Sequence, residues 1–185
     1  MSGLIARVQL VSNALLLLGD RPIASLTEDT TGATLGSNLF ENTYLSLLQS
    51  HRWRFATKRL SLSRLSAKPN TGYQYAYQMP SDFLYTIKTD AQSFEVYGKE
   101  LHSNTTSLDL DYIYRVNEDQ VPAYFAKAVE FALANQFAVP ITGDLKKADY
   151  YSKVYLNELK KAKHTDATQY PEVPVVSRPY IDVRN

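Results

Sequence analysis

Leu47-Leu-Gln-Ser-His-Arg-Trp-Arg-Phe-Ala-Thr-Lys-Arg-Leu-Ser-Leu-Ser-Arg-Leu65 is the stretch in which the hydrophobic period of this chain changes. Before it, Leu35, Leu39, Phe40, Tyr44, Leu47 and Leu48 recur every three or four residues, which is one face of a helix. From Trp53 onward, Phe55, Leu60, Leu62 and Leu65 interleave with Arg54, Lys58, Arg59, Ser61 and Arg64. That approximate period of two predicts a strand. A chain that leaves helical period here and regains it later segregates its helices from its strands, which predicts an α+β fold.

On the N-terminal side, Leu4, Val8, Val11, Leu15 and Leu18 predict a helix that Gly19 stops, with Arg21-Pro22 beyond it. The second helix starts with Asp29 or Thr30 as N-cap and ends around Ser50-His51. Gly32 and Gly36 weaken its first turns, each by about 1 kcal/mol relative to alanine, and suit a close approach of the first helix.

On the C-terminal side, Ala67-Lys-Pro-Asn-Thr-Gly72 is turn chemistry. Alternation at Tyr73, Tyr75 and Tyr77, the run Phe83–Ile87, the hairpin Phe94–Tyr97 and Lys99–His102 around Gly98, and Leu108–Tyr114 predict further strands. Helical period returns after Pro122 with Phe125, Ala128, Val129, Ala132, Leu133, Gln136 and Phe137 on one face, and Pro140 is expected to stop it. Asp144 caps a fourth helix with the stripe Leu145, Ala148, Tyr151, Tyr155, Leu159 and Ala162. Lys146, Lys147, Lys153, Glu158, Lys160 and Lys161 are expected to face water. The final residues, with Pro171, Pro174 and Pro179 among valines and isoleucine, predict an extended segment. The expected organisation is a four-helix bundle from residues 1–52 and 117–165, a β-rich insert at 53–116 and an extended C-terminal arm at 166–185.

Composition narrows the chemistry. Twenty basic residues balance nineteen acidic ones among 185, so no global field attracts nucleic acid or membrane. With no cysteine, disulfides, thiol nucleophiles and cysteine-ligated metal centres are excluded. The longest apolar run, Ala14–Leu18, is far short of a membrane span. Met-Ser-Gly-Leu-Ile-Ala-Arg has no basic n-region, so a soluble chain that is not exported is expected. Fourteen tyrosines stand against seven phenylalanines. Such side chains suit either a tyrosine-rich sheet or surfaces covered on assembly.

No phosphate-binding loop, dinucleotide fingerprint, His-Glu-x-x-His or Gly-x-Ser-x-Gly occurs. His51, His102 and His164 fall in different elements, and no cofactor or metal is expected. Glu28-Asp29, Asp109/Asp111 and Glu118-Asp119 are acidic pairs able in principle to hold a cation or act as acid and base. For Asp109 and Asp111 the simpler reading is a solvated strand face opposite Leu108, Leu110 and Tyr112, and for Glu28-Asp29 a helix N-terminus meeting the macrodipole. Arg52, Arg54, Lys58, Arg59, Arg64 and Lys68 form a local basic strip around Trp53 that is able to follow a phosphate backbone.

Several segments, in order, resemble one family. Val11-Ser-Asn-Ala-Leu-Leu-Leu-Leu-Gly-Asp-Arg-Pro-Ile23 is similar to the opening helix of the phage tail tubular protein A family, the head-to-tail adaptors. Leu48-Gln-Ser-His-Arg-Trp-Arg-Phe55 is similar to that family's next element, with His51-Arg52 where Arg-Gly is usual. Tyr75-Ala-Tyr-Gln-Met-Pro-Ser-Asp-Phe-Leu84 and Leu110-Asp-Tyr-Ile113 extend the likeness, which thins after about Ala162. The resemblance implies a non-enzymatic subunit of a dodecameric ring that joins portal protein to a tail or nozzle protein and lines the DNA exit channel. The place implied is the neck or tail of a virion assembled in the host cytoplasm. It also implies an arm that reaches the portal or a neighbouring subunit, here Tyr170, Pro171, Val173, Val175, Val176, Arg178, Tyr180 and Ile181. Arg52, Arg54, Lys58, Arg59, Arg64 and Lys68 then stand as channel-lining residues. Other readings are a head- or tail-completion protein of a long-tailed phage, a small DNA-binding module using the basic strip, and, weakest, an enzyme with a metal on Asp109 and Asp111.

Overall fold

The computed structural model describes residues 2–169. The described residues are α+β, with four α-helices and two antiparallel three-stranded sheets. The helices are α1 (Ser2–Leu18), α2 (Thr31–Gln49), α3 (Ala123–Thr142) and α4 (Leu145–Ala167). The strands are β1 (Thr57–Ser61), β2 (Tyr75–Gln78), β3 (Phe83–Thr89), β4 (Phe94–Tyr97), β5 (Glu100–Ser103) and β6 (Asp109–Tyr114). No helix among the described residues is long and apolar enough to cross a membrane.

The predicted first and second helices form, with Val11, Leu15, Phe40, Tyr44, Leu47 and Leu48 buried on the expected faces, while the Leu4 side chain lies outside the described residues. Thr30 is the N-cap of α2 and accepts from the Ala33 amide. Gly32 and Gly36 are the contact with α1. A Cβ on Gly32 would stand 2.6 Å from Leu15 Cδ1, and one on Gly36 2.7 Å from Val11 Cγ1. Glu28 does not serve the α2 terminus as expected. Its carboxylate folds back to accept from the amides of Ala24 and Ser25, bracing the link between the helices.

α3 is the central helix and touches the other three. Ala134 and Ala138 are buried with the expected face, whereas Gln136 is exposed. Pro140 does not stop α3, which continues to Thr142. In the last turn the ring removes a single helical N–H, and the stop comes from Gly143, left-handed at φ 65°, whose amide donates to the Val139 carbonyl. Asp144 then caps α4, accepting from the amides of Lys146 and Lys147. Leu145 is exposed because it lies at the turn itself. Glu158 turns inward between Lys127 and Lys161 instead of facing water. The helix runs to Ala167, two residues into the segment expected to be an arm.

Cross-helix contacts give the directions. Asn13 bonds Glu130, and Arg7 bonds Glu118 just before α3, so α1 and α3 run parallel. The pairs Gly36 with Val11 and Tyr124 with Asp166 make α2 and α4 antiparallel to them. One end of the helical layer therefore holds the α3–α4 turn, and the opposite end adjoins the sheets.

The sheets have strand orders β1-β6-β3 and β2-β5-β4. The β4–β5 hairpin turns at Gly98 as the sequence predicts. The predicted strand from Trp53 is shorter than expected: residues 53–56 turn, and only Thr57–Ser61 pairs, with Leu60 exposed. The cause is Trp53, whose indole is fully buried in the helical core and donates to the Leu47 carbonyl at 2.8 Å. Seating the ring there obliges the backbone to bend before β1. The helical core also takes Ala56, Ile113 and Val116, while Leu62, Tyr77, Leu101, Leu110 and Tyr112 form a second core between the sheets.

Gly36→Ala tests the helix contact. Alanine is the better helix former by about 1 kcal/mol, but Val11 is β-branched, fully buried and unable to swing away. The expected net result is a loss of about 1–2 kcal/mol by overpacking, read as a lower urea midpoint with unchanged m-value.

Candidate functional site

The end of α4 is held against the turn that leaves α2. Asp166 is about 1% exposed and accepts from the Arg54 amide at 3.2 and 3.3 Å and from the Tyr124 hydroxyl at 2.8 Å. The Arg54 guanidinium donates to the Ala167 carbonyl, and Lys163 donates to the carbonyl of Ser50. Cations therefore meet the carbonyl-rich ends of α4 and α2. An open cleft of about 540 Å³ lies beside this clasp, lined by His51, Arg52, Arg54, Thr57, Asp166 and Ala167. His51 Nε2 is 3.9 Å from Asp166. Burial holds the imidazole below its ordinary value against the opposing pull of Asp166.

The basic strip does not gather on one surface. Arg52 and Arg54 meet at the cleft. Lys58 lies on Asp82 at 2.7 Å and over the Tyr114 ring at 3.7 Å. Arg59, one residue on and therefore on the other face of β1, sits 3.0 Å from Asp109 and 3.7 Å from Asp111. Arg64 covers the Tyr75 ring at 4.6 Å, and Lys68 is exposed in the loop before β2. A strip in sequence becomes separate, largely partnered cations in space. Tyr170, Pro171, Val173, Val175, Val176, Arg178, Tyr180 and Ile181 lie outside the described residues.

Asp109 and Asp111 share a strand face, as their spacing predicts, with Leu108, Leu110 and Tyr112 buried behind them. Hydrogen bonds from Ser61 and Arg59 hold Asp109 below the usual carboxylate range. These carboxylates face a guanidinium rather than one another. His102 is buried between Thr71 and Glu100, and His164 is exposed on α4. Among the described residues no group of three or more His, Cys, Asp or Glu is placed to hold a metal ion.

Glu118, singled out in the sequence as an acidic neighbour of Asp119, is instead paired with arginines in a network that the sequence did not flag. Its buried carboxylate lies 2.7 Å from both Arg7 and Arg115, and Glu41 lies 2.9 Å from the same two guanidiniums. Each arginine also covers a ring at 4.8 Å, Arg7 on Phe40 and Arg115 on Tyr44. Four charges thereby tie α1, α2 and the exit of β6 together. Periodicity held a signal for two of the missed residues. Asp166 is four beyond Ala162 on the buried stripe of α4, and Arg7 is four before Val11 on that of α1.

At the far end of the helical layer, Leu16, Leu17, Val139, Leu145 and Tyr150 are exposed around the point where the Tyr151 hydroxyl donates to the Leu17 carbonyl. No protein-family model and no curated protein matches this sequence.

Burial pushes Glu118 up, but hydrogen bonds from Arg115 and Arg7 outweigh it and hold the carboxyl below its ordinary value. A carboxylate depressed in the folded state adds stability that is present above the unfolded pKa, about 4.3, and lost as pH falls through the folded one. The wild-type chain is therefore expected to lose more stability than Glu118→Gln between about pH 6 and pH 3. Urea midpoints of the two proteins across that range measure it, and parallel curves would refute it.

Proposed function

We propose that this chain is a structural head-to-tail adaptor subunit of a tailed bacteriophage, one copy of a ring that joins portal to tail and lines the DNA exit channel. The observation that carries the reading is where the four resembling segments stand. Val11–Ile23 ends α1 and returns through Ser12, whose hydroxyl bonds both the amide and the carbonyl of Ile23. Leu48–Phe55 brings Trp53 into the helical core. Tyr75–Leu84 delivers Asp82 to Lys58, Tyr112 and the Arg115 amide. Leu110–Ile113 is the strand shared by the two cores. The likeness thus falls on the joints of the fold and not on a scattered surface.

The finer architecture follows from the same reading. The four helices form a bundle, residues 53–116 project as its β-rich insert, and the chain beyond α4 serves as an arm to the portal or a neighbouring subunit. Large apolar side chains exposed at opposite ends support ring contacts: Leu16, Leu17 and Leu145 at one end, Tyr85, Val96 and Tyr97 on the sheets. Heterologous contacts in a ring need two unlike surfaces on one subunit. Tyrosines, with an apolar body and a polar tip, suit such surfaces.

Affinity capture of the tagged chain from infected cells, followed by negative-stain imaging and mass analysis, tests the reading. A ring stacked on a portal-like ring with tail components supports it, whereas a small species without such partners refutes it. Attachment to a long, contractile or flexible tail would favour a head- or tail-completion role instead. Truncation after Thr168 is expected to abolish incorporation into particles and to leave the urea transition of the free subunit intact. Normal incorporation would remove the arm from the account.

A further inference from the structure

The helix α4 presents a second face that the core does not use. Lys146, Tyr150, Lys153, Asn157, Lys160 and His164 are all exposed, and they follow one another at intervals of four and three residues. The three lysines are seven apart, so they form a nearly straight row with a spacing of about 10 Å on a helix that rises about 1.5 Å per residue. The whole row spans about 27 Å by the same measure. No carboxylate is among the six. Asp149 at the edge pairs with Lys153, while Lys146 and Lys160 have no carboxylate within 4 Å among the described residues.

Charge is concentrated here. α4 carries six lysines against Asp149, Glu158 and Asp166, an excess of three, whereas the complete chain has an excess of one. Two of those three acids are turned away from the row. Asp166 is buried in its clasp, and the Glu158 carboxylate is about 13% exposed beneath Lys127 and Lys161.

We propose that this face of α4 is a nucleic-acid-contacting surface that binds the phosphate backbone of duplex DNA without reading sequence. A row of ammonium groups at a regular interval, the outer two without a carboxylate within 4 Å among the described residues, complements a polymer with a phosphate at about every 3.4 Å of each strand. Lysine is depleted in the cores of protein–protein interfaces, and Tyr150 is the single large apolar group in the row, which disfavours a protein partner. Lysine, a point charge on a flexible stem, tolerates a moving or rotating duplex better than a fixed bidentate fork. The inference stands on the charge row alone and assigns the DNA-facing surface to α4 instead of the strip from Arg52 to Lys68.

The test is fluorescence anisotropy of the full chain with a labelled duplex of about 30 base pairs at several salt concentrations, which at about 3.4 Å per step is longer than the row. The comparison is with the triple variant Lys146→Gln, Lys153→Gln, Lys160→Gln and with the double variant Arg59→Gln, Arg64→Gln. Circular dichroism verifies that each variant is folded. Wild-type binding is expected in the range of roughly 10⁻⁴–10⁻⁶ M, with the logarithm of the binding constant falling linearly in the logarithm of salt. The triple variant should lose about 0.9 from that slope for each lysine removed, and at least about tenfold in affinity near 0.1 M salt. The double variant should match wild type. No wild-type binding, or a slope unmoved by the triple substitution, overturns the proposal, including the case in which the row meets an acidic protein surface. A portal-bound ring whose subunit fails this assay would overturn the α4 assignment only. DNA binding by a chain that never enters a ring would overturn the adaptor reading only.

Discussion

The indole of Trp53 is held from every side: Phe125 meets it edge-on at 5.1 Å, Phe55 lies at 5.9 Å, Tyr124 stacks at 6.5 Å, and its N–H is taken by Leu47. A ring so placed is worth several kcal/mol, since emptying a site of this size typically costs about 3–5 kcal/mol. The geometric effect is larger than the energy suggests. With its side chain in the helical core, Trp53 has to carry the backbone around a bend, and that bend turns the Arg54 amide toward Asp166. The end of α2, the start of β1 and the end of α4 are thereby set by one side chain. The Tyr124 hydroxyl joins the clasp because its ring lies in the same aromatic group.

β6 repeats this logic on the other side of the joint. Leu110 and Tyr112 face the sheet core, and Ile113 faces the helices, so the strand is buried in two directions. A strand serving two cores cannot slip by one residue without exchanging the contents of both. The charges that follow it reinforce the placement more than the stability. Only Glu118 of the four charges is buried, and pairing a buried carboxylate recovers little beyond its desolvation cost. Yet Glu118 without its guanidiniums would be an uncompensated charge at the junction of α1, α2 and β6. The network therefore makes the placements of α1, α2 and β6 depend on one another.

Much of this was legible in the sequence because it obeys local rules. The apolar stripes of α1 and α2, the caps at Thr30 and Asp144, the two glycines against α1 and the hairpin at Gly98 all follow from spacing and residue type. What was missed depends on contacts far along the chain. Trp53 sits in a run that alternates like a strand, and only the cavity left by Tyr124 and Phe125 turns it inward. Pro140 reads as a stop, but its ring falls in a final turn that has little helix left to lose. Asp166 lies on the buried stripe of α4, where an acid argues against burial until the Arg54 amide and Tyr124 hydroxyl supply its partners.

The basic residues show most clearly why sequence proximity and electrostatic field differ. Six cations within seventeen residues look like a patch, but alternation along β1 sends Lys58 and Arg59 to opposite faces, where acids from β6 and the turn before β3 meet them. A cation already lying on a carboxylate has to surrender that contact to take a phosphate, and exposed pairs of this kind are worth up to about 1 kcal/mol each. Its far field is also cancelled by the partner, so it neither steers nor holds a polyanion well. The three lysines of the row are spread over fifteen residues and draw no attention as a cluster. A helix aligns every seventh position, however, and two of the three acids of α4 are occupied elsewhere, Asp166 by a backbone amide and a phenol and Glu158 by flanking lysines, which leaves Asp149 on Lys153 alone. Burying two of a helix's three acids while leaving most of its lysines in water produces a directional field from a chain whose net charge is close to zero.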